Sequence, residues 1–225
     1  MRATDRARPH TISRRPRRLE KKFFTLRYRS WFRHKEFTTN WASAHFAVWH
    51  RVLSPLRDEP LRIVEIGSWE GRSAVFFLNF FKQAKIICID TFSGSIEEPG
   101  FKQLTNELSG AEARFDRNLA QFAGRVEKIK SQSHSALQRL ADEGRQFDLA
   151  YIDGSHKRDD VTADSLGVWR LLAPLGIVIW DDYTWEINLP PEQRPQPAID
   201  QFLMDHQGNY RLLAKTEQVL IERLN

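Results

Sequence analysis

The spacing of apolar positions along the chain switches repeatedly between a helical and an extended period. Residues 38–53 place Trp41, His45, Val48, Trp49 and Val52 at three- and four-residue intervals, which predicts a helix that Pro55 ends. Residues 61–66 then read as a strand that runs into a turn at Gly67. A very apolar helix is predicted over 73–82 and a second buried strand over 86–90. A loop over 91–100 leads to a helix over 101–123 and a third strand over 126–130. The pattern next gives a helix over 134–143, with Ser133 as its cap, and a fourth strand over 147–153. A helix over 157–172, a turn at Pro174-Leu175-Gly176 and a fifth strand over 177–180 follow. The proline-rich loop 190–197 precedes a helix over 198–206, and 210–214 with 218–222 reads as a closing hairpin.

Five β-α units followed by α-β-β predict an α/β fold: a mostly parallel, seven-stranded sheet with helices on both faces and an antiparallel C-terminal hairpin. Ligands of such sheets bind beyond the carboxyl ends of the strands, near the point where strand order reverses. Composition narrows the class further. With 225 residues, 41% hydrophobic and 28% charged, the chain suits one folded domain and excludes global disorder. No apolar run approaches the length of a membrane-spanning helix. The lone cysteine, Cys88, excludes an internal disulfide framework and a cysteine zinc cluster.

Charge divides the chain unevenly. Residues 1–35 hold thirteen Lys and Arg against two acidic residues, while the rest carries six more acids than bases. This predicts a basic, flexible arm over 1–35 attached to a mildly acidic domain over 36–225. A plain solvated, partly disordered tail is the first reading of such a run, and contact with an anionic partner such as nucleic acid, acidic lipid or an anionic polymer is the second. No apolar h-region follows the arginines, so the expected location is cytoplasmic.

The strand ends carry the candidate chemistry. The first strand leads into Gly67-Ser68-Trp69-Glu70-Gly71-Arg72-Ser73, where the glycines permit a tight turn and the following helix start favours an anionic group. Asp90 ends the second strand, where a carboxylate can accept both hydroxyls of a ribose. A glycine turn with a helix-capping Asp explains the same residues. Trp69 stands where a dinucleotide fingerprint has its middle glycine, which argues against NAD or FAD and for a nucleoside ligand without a diphosphate. Asp153 ends the fourth strand, and Asp181 and Asp182 end the fifth. Three carboxylates this close call for a cation or a shared proton, and oxygen ligands suit Mg²⁺ or Ca²⁺. His156 is available nearby as a general base. The bland alternative makes Asp181 and Asp182 turn caps and His156 a helix cap. Phe76, Phe77, Phe80, Phe81 and Trp180 are expected in the core, and Tyr183 and Trp185 in an acceptor wall. The helix over 38–53 and the loop 91–105 are expected to form a lid.

The segments 64–74 (Val-Glu-Ile-Gly-Ser-Trp-Glu-Gly-Arg-Ser-Ala), 89–92 (Ile-Asp-Thr-Phe), and 147–156 continuing to Trp180-Asp181-Asp182-Tyr183 together carry a resemblance. Over about residues 38–223 the chain resembles class I S-adenosylmethionine-dependent methyltransferases. It is most similar to methyltransferase family 24 and to the catechol- and macrolide-sugar-type small-molecule O-methyltransferases. The resemblance implies a Rossmann-like fold and S-adenosylmethionine as cofactor. Glu65, Gly67, Trp69 and Ser73 would hold its methionine moiety and Asp90 its ribose, while Ser131, Gln132, Ser133 and His134 would border the adenine. Ser68, Gly71, Thr91 and Asp153 complete the implied cofactor set. Asp153, Asp181 and Asp182 match the positions of Mg²⁺ ligands in the metal-dependent members. His156 falls where catechol-type enzymes carry a catalytic lysine and would act with Asp153 as the catalytic pair. The implied acceptor is a hydroxyl of a small molecule or sugar, and relatives of this kind often form homodimers. Two other readings stand beside this one: a dehydrogenase or hydroxylase on the same scaffold, and a methyltransferase-like protein recruited to nucleic acid by the arm. The Asn/Asp-Pro-Pro-Tyr/Phe motif of amino-directed nucleic-acid methyltransferases is absent, for residues 153–156 read Asp-Gly-Ser-His.

Overall fold

A computed structural model describes residues 7–94 and 108–224. Seven strands form one sheet: β1 (Arg62–Ile66), β2 (Lys85–Asp90), β3 (Val126–Lys130), β4 (Phe147–Ile152), β5 (Leu172–Trp180), β6 (Tyr210–Lys215) and β7 (Val219–Arg223). Their order is β3-β2-β1-β4-β5-β7-β6. The first five are parallel, and β7 runs antiparallel to both β5 and β6. Strand order therefore reverses between β1 and β4, where this class of sheet opens its ligand crevice.

The register aligns the strand ends. Ile66 pairs with Ile89 and with Ile152, and Ile152 pairs with Trp180. The next amide of each chain segment then bonds the neighbouring strand: Gly67 N donates to Ile89 O (2.9 Å), Asp153 N to Ile66 O (2.8 Å) and Asp181 N to Ile152 O (2.9 Å). Gly67, Asp153 and Asp181 consequently stand side by side at one edge.

Alternation along each strand sends its residues to two cores. One face places Ile63, Tyr151 and Ile179 against α2 (Phe46–Leu53) and α3 (Arg72–Phe80). That layer is aromatic: Phe46 stacks on Phe76 at 4.5 Å, and Trp49 packs at a tilt on Phe77 at 4.8 Å. The other face packs Val64, Ile66, Ala150 and Trp180 with α5 (Ser133–Asp142), α6 (Arg158–Leu171) and α7 (Gln196–Asp205). Phe76, Phe77, Phe80, Phe81 and Trp180 are fully buried, as expected.

Several local expectations change. The helix over 38–53 is a 3₁₀ turn, Ala42–His45, followed by α2. Pro174-Leu175-Gly176 lies inside β5, where the partners of Phe147 and Leu149 jump from Leu172 to Ile177 and Leu175 takes φ +62°. The expected turn is thus an enlarged bulge that leaves the strand continuous. Gln132, not Ser133, precedes α5 as its cap residue, and no side chain caps that helix. Of the helix expected over 101–123, α4 (Ala111–Leu119) and a 3₁₀ segment, Ala120–Arg125, lie within the described residues. Most of the expected lid loop 91–105 lies outside them. Among the described residues no helix is long and apolar enough to cross a membrane.

The largest correction concerns the arm. Residues 7–35 pack along the domain. His10 N donates to Val52 O (2.9 Å) and Ile12 N to Leu213 O (2.8 Å). α1 (Arg18–Arg27) lies on α2, and Lys21 pairs with Glu217 at 3.1 Å. Tyr28 is buried, stacked on Trp31 at 4.3 Å and edge-on to Phe76 at 5.1 Å. The basic run hides this from the sequence because its aromatic anchors, Phe24, Tyr28 and Trp31, are dispersed among the charges. Truncating a buried aromatic costs about 3 kcal/mol. Tyr28→Ala is therefore expected to lower the stability by that order in urea unfolding, whereas an unshifted midpoint would restore the free-arm picture.

Candidate functional site

The turn after β1 is fixed by steric exclusion. Gly67 has φ +80°, and a Cβ there would lie 1.9 Å from the carbonyl oxygen of Asp153. The loop thus passes directly against the end of β4, and the missing side chain permits the approach. Trp69 also adopts a left-handed conformation, φ +47°. Asp90 holds this shape: its Oδ2 accepts from Ser68 N (2.7 Å) and Trp69 N (2.7 Å), and its Oδ1 accepts from Phe92 N (2.6 Å). A carboxylate has about four acceptor sites. Asp90 therefore works first as the loop's clamp, and it retains one lone pair on Oδ1 for a ligand hydroxyl.

Glu65 lies fully buried beneath the same loop. Its Oε2 accepts from Ser68 Oγ (2.6 Å), while Oε1 has no hydrogen-bond partner. Burial pushes the carboxyl up to about 7, against the pull of the Ser68 and Ser73 hydroxyls and the Cys88 thiol. A buried carboxylate oxygen without a donor suits a cationic group. Glu70, also fully buried, ties the loop to its surroundings by accepting from Thr38 N (2.6 Å), Thr38 Oγ1 (2.7 Å) and Arg114.

The other expected cofactor residues are spread along the same edge. Thr91 Oγ1 accepts from Ser93 Oγ (2.8 Å), and Ser131 N donates to Asp90 O (3.1 Å). Gln132, Ser133 and His134 open α5. The Ser133 hydroxyl and the His134 ring both favour the charged form of Asp164 on α6, whose carboxyl burial pushes up to about 6. Gly71, with φ +78°, caps α3, and Ser73 lies buried in its first turn.

At the ends of β4 and β5 the acids gather. Asp153, His156 and Asp182 offer ligand atoms within 4.8 Å of one another. His156 Nε2 lies 2.9 Å from Asp182 Oδ2, and its ring packs on Trp185 at 4.3 Å. Asp181 turns inward instead. Its Oδ1 accepts from Asp182 N (2.8 Å) and sits 3.4 Å from His45 Nε2, and its Oδ2 accepts from Tyr151. Tyr151 Oη also lies 2.9 Å from Asp153 Oδ2. A phenol has a single proton to donate, so it cannot satisfy two ionised carboxylates. Burial, and then the charges of Asp181 and Asp182, hold the Asp153 carboxyl well above its ordinary range. The cluster therefore has to retain a proton or receive a cation, and a set of carboxylates with one imidazole fits a hard divalent ion.

Tyr151 and His45 were not among the expected site residues. Tyr151 precedes Asp153 by two positions in an extended segment, so period-two geometry could have placed the two on one face. His45 reaches Asp181 through tertiary packing, for which the sequence holds no signal. Tyr183, expected in an acceptor wall, is instead buried and donates to Asp200 Oδ1 (2.9 Å), because α7 covers it. Trp185 remains against His156.

This edge, with its glycine turn, strand-end acid and acidic cluster on a β3-β2-β1-β4-β5-β7-β6 sheet, defines a methyltransferase-type site. The Methyltransf_24 methyltransferase-domain family model matches residues 64–183, more than half of the chain, and the protein belongs to that family. An uncharacterised protein of Acanthamoeba polyphaga mimivirus is 24% identical over 172 residues, covering 74% of this chain and 70% of its own. Among solved structures, the chain is similar to MycE methyltransferase of the mycinamycin biosynthetic pathway, in complex with Mg, SAH and mycinamycin VI. That match has a TM-score of 0.60 and 18% identity and covers 90% of this chain. The chain spans about half, 54%, of that protein's length. The O-methyltransferase from Bacillus cereus in complex with SAH aligns with a TM-score of 0.55 and 15% identity, covering 95% of this chain and 84% of its own. The O-methyltransferase NovP aligns at 0.53 with 19% identity, over 74% and 73%.

Glu65 gives this site a measurable signature. The folded state holds the Glu65 proton more tightly than the unfolded chain does. Its contribution to stability is full below pH 4.5 and is lost as the pH rises through about 7. Glu65→Gln keeps an acceptor for Ser68 and removes the buried charge. The variant should gain on the wild type by up to about 3 kcal/mol between acid and mildly alkaline pH in urea unfolding. A pH-independent difference would refute the assignment.

Proposed function

We propose that the protein transfers the sulfonium methyl of S-adenosylmethionine to a hydroxyl of a small molecule or sugar, assisted by a divalent cation. The observation that supports this most directly is the meeting of Asp153, His156 and Asp182 at one corner, beside the turn at Gly67. When bound, the cofactor supplies an electrophilic methyl group and the cation lowers the pKa of the acceptor hydroxyl.

The chain's own residues would do the rest. The unpartnered Oε1 of Glu65 suits the methionine ammonium, and the free lone pair of Asp90 suits one ribose hydroxyl. Ser131, Gln132, Ser133 and His134 would border the base. Asp153 and Asp182 would hold the cation, with Asp181 as the third carboxylate behind them. Asp182 would hold the proton on His156 Nε2, so that Nδ1 takes the acceptor proton, and it would stabilise the imidazolium that results. Trp185, packed on His156, would keep water from that face. Most of the rate would come from holding acceptor oxygen and methyl in line. MycE, which resembles this chain in fold, was solved with Mg, SAH and mycinamycin VI, and this agrees with the reading. A hydroxylase's iron site needs a second histidine. The acidic group found among the described residues has one.

Titration calorimetry with S-adenosylmethionine and Mg²⁺ tests the cofactor, for which micromolar binding is expected. No binding by the folded protein would refute the proposal. Asp182→Asn should weaken Mn²⁺ binding, followed by its paramagnetic resonance, by about 10- to 100-fold and leave cofactor affinity within a few-fold. His156→Gln should keep wild-type Mn²⁺ affinity while lowering methyl transfer by about 10²–10⁴-fold. Loss of Mn²⁺ in that variant would make His156 a ligand rather than the base.

A further inference from the structure

α1 shows a division of its surface that the site just described does not use. Its inner face carries Lys21, Phe24 and Tyr28, which lie against α2, the β6–β7 turn and α3. Its opposite face carries Leu19, Phe23 and Leu26, which are 78%, 58% and 66% exposed. At 3.6 residues per turn these three fall within about 60° of one another, so they form a single apolar stripe pointing away from the domain. Arg18, Lys22 and Arg27 flank it and are exposed. The helix's one carboxylate, Glu20, is drawn out of this ring: it accepts from Arg17 N (2.7 Å) and lies within 4 Å of Arg14 and Arg51.

The stripe runs on into a groove of about 660 Å³ lined by Leu26, Arg29, Arg33, Lys35, Phe37 and Arg72. Arg72 is the deepest cation there. Its guanidinium bonds Ser43 Oγ (3.0 Å) and packs over Phe32 at 4.5 Å and Phe37 at 4.8 Å. Burial brings it down to about 10, with the Glu70 charge opposing. A partly desolvated cation in a groove of cations favours an anion.

We propose that the face formed by α1 and this groove docks the protein on an anionic lipid surface. Leu19, Phe23 and Leu26 would enter the boundary between headgroups and acyl chains, and the groove would receive a lipid phosphate. The chemistry selects this partner over two others. A second copy of the face would set one ring of cations against another. A nucleic acid would satisfy the cations and leave three large apolar side chains in water. An amphipathic helix with Leu and Phe outward and Lys and Arg at its flanks suits an interface that supplies both phases. The net acidity of residues 36–225 would turn this basic face toward the anionic surface. The inner face of α1 is tied to the segment that follows the acidic cluster. Lys21 holds Glu217, Glu217 O accepts from Tyr183 N (2.9 Å), and Tyr183 follows Asp182.

The test is flotation of the full-length protein with vesicles of phosphatidylcholine alone or with phosphatidylserine added. Binding is expected to the anionic vesicles, weakened by salt, and not to the neutral ones. Leu19→Ser/Phe23→Ser/Leu26→Ser should lose about tenfold or more of that binding with an unchanged melting temperature, since all three residues are exposed. Arg29→Gln/Arg33→Gln should reduce both affinity and salt dependence. A polarity-sensitive fluorophore on Phe23→Cys should shift to the blue on anionic vesicles, and the fully buried Cys88 leaves the new thiol to be labelled. Three results would each overturn the proposal: no vesicle binding at low salt, binding untouched by the triple serine variant, or displacement from vesicles by a single-stranded RNA at equal phosphate concentration.

Discussion

A single proton lies between two carboxylates at the carboxyl end of the sheet. Tyr151 Oη reaches both Asp153 and Asp181, and it can donate to one. The parallel register creates this conflict, because it aligns Ile66, Ile152 and Trp180 and so sets the residues after them side by side. The approach is made tight by Gly67, which has no Cβ to hold the first loop away from Asp153. Buried like charges raise one another's pKa values and destabilise the ionised state unless something positive joins them. The site is therefore a place of stored electrostatic cost, and a bound cation would relieve it.

A second buried acid sits at the other side of the same turn. Glu65 is enclosed by α3 and the glycine loop, with one oxygen unmet. Burial is the main cause in both, but at Asp153 the charges of Asp181 and Asp182 come next, whereas at Glu65 the charge of Asp90 is the least of the causes. The two sites face the crevice from β1 and from β4–β5. One is suited to a cation carried on a cofactor and the other to a metal ion. That arrangement is consistent with a methyltransferase, whose cofactor is itself cationic and whose acceptor must lose a proton.

The N-terminal segment joins both themes of charge and burial. Its basic composition suggests solvent, yet Tyr28 and Trp31 complete the aromatic layer over Phe76. The cations remain outward because the anchors are spaced one helical turn apart, Phe24 to Tyr28, and take the inner face. The apolar residues that remain, Leu19, Phe23 and Leu26, then have nowhere to go but out. Packing of one face thus determined which residues the other face presents.

The alternation of extended and helical periods was enough to predict five parallel strands, the closing hairpin and the row of strand-end residues Gly67, Asp90, Asp153, Asp181 and Asp182. Those features are local: period two sends side chains to opposite faces, and a strand's last residue lies at the edge whatever it packs against. Other features depended on partners distant in sequence. His45 meets Asp181 across more than 130 residues, and Tyr183 is buried by a helix that begins after it. Asp90 proved to clamp the glycine loop because the loop folds back onto it, which its position at a strand end does not reveal. The sequence by itself determined the sheet, its order of elements and which residues stand at its edge. Tertiary structure alone decided which carboxylates touch, which aromatics are buried and which face of the basic segment meets solvent, since those follow from contacts between segments that no local period encodes.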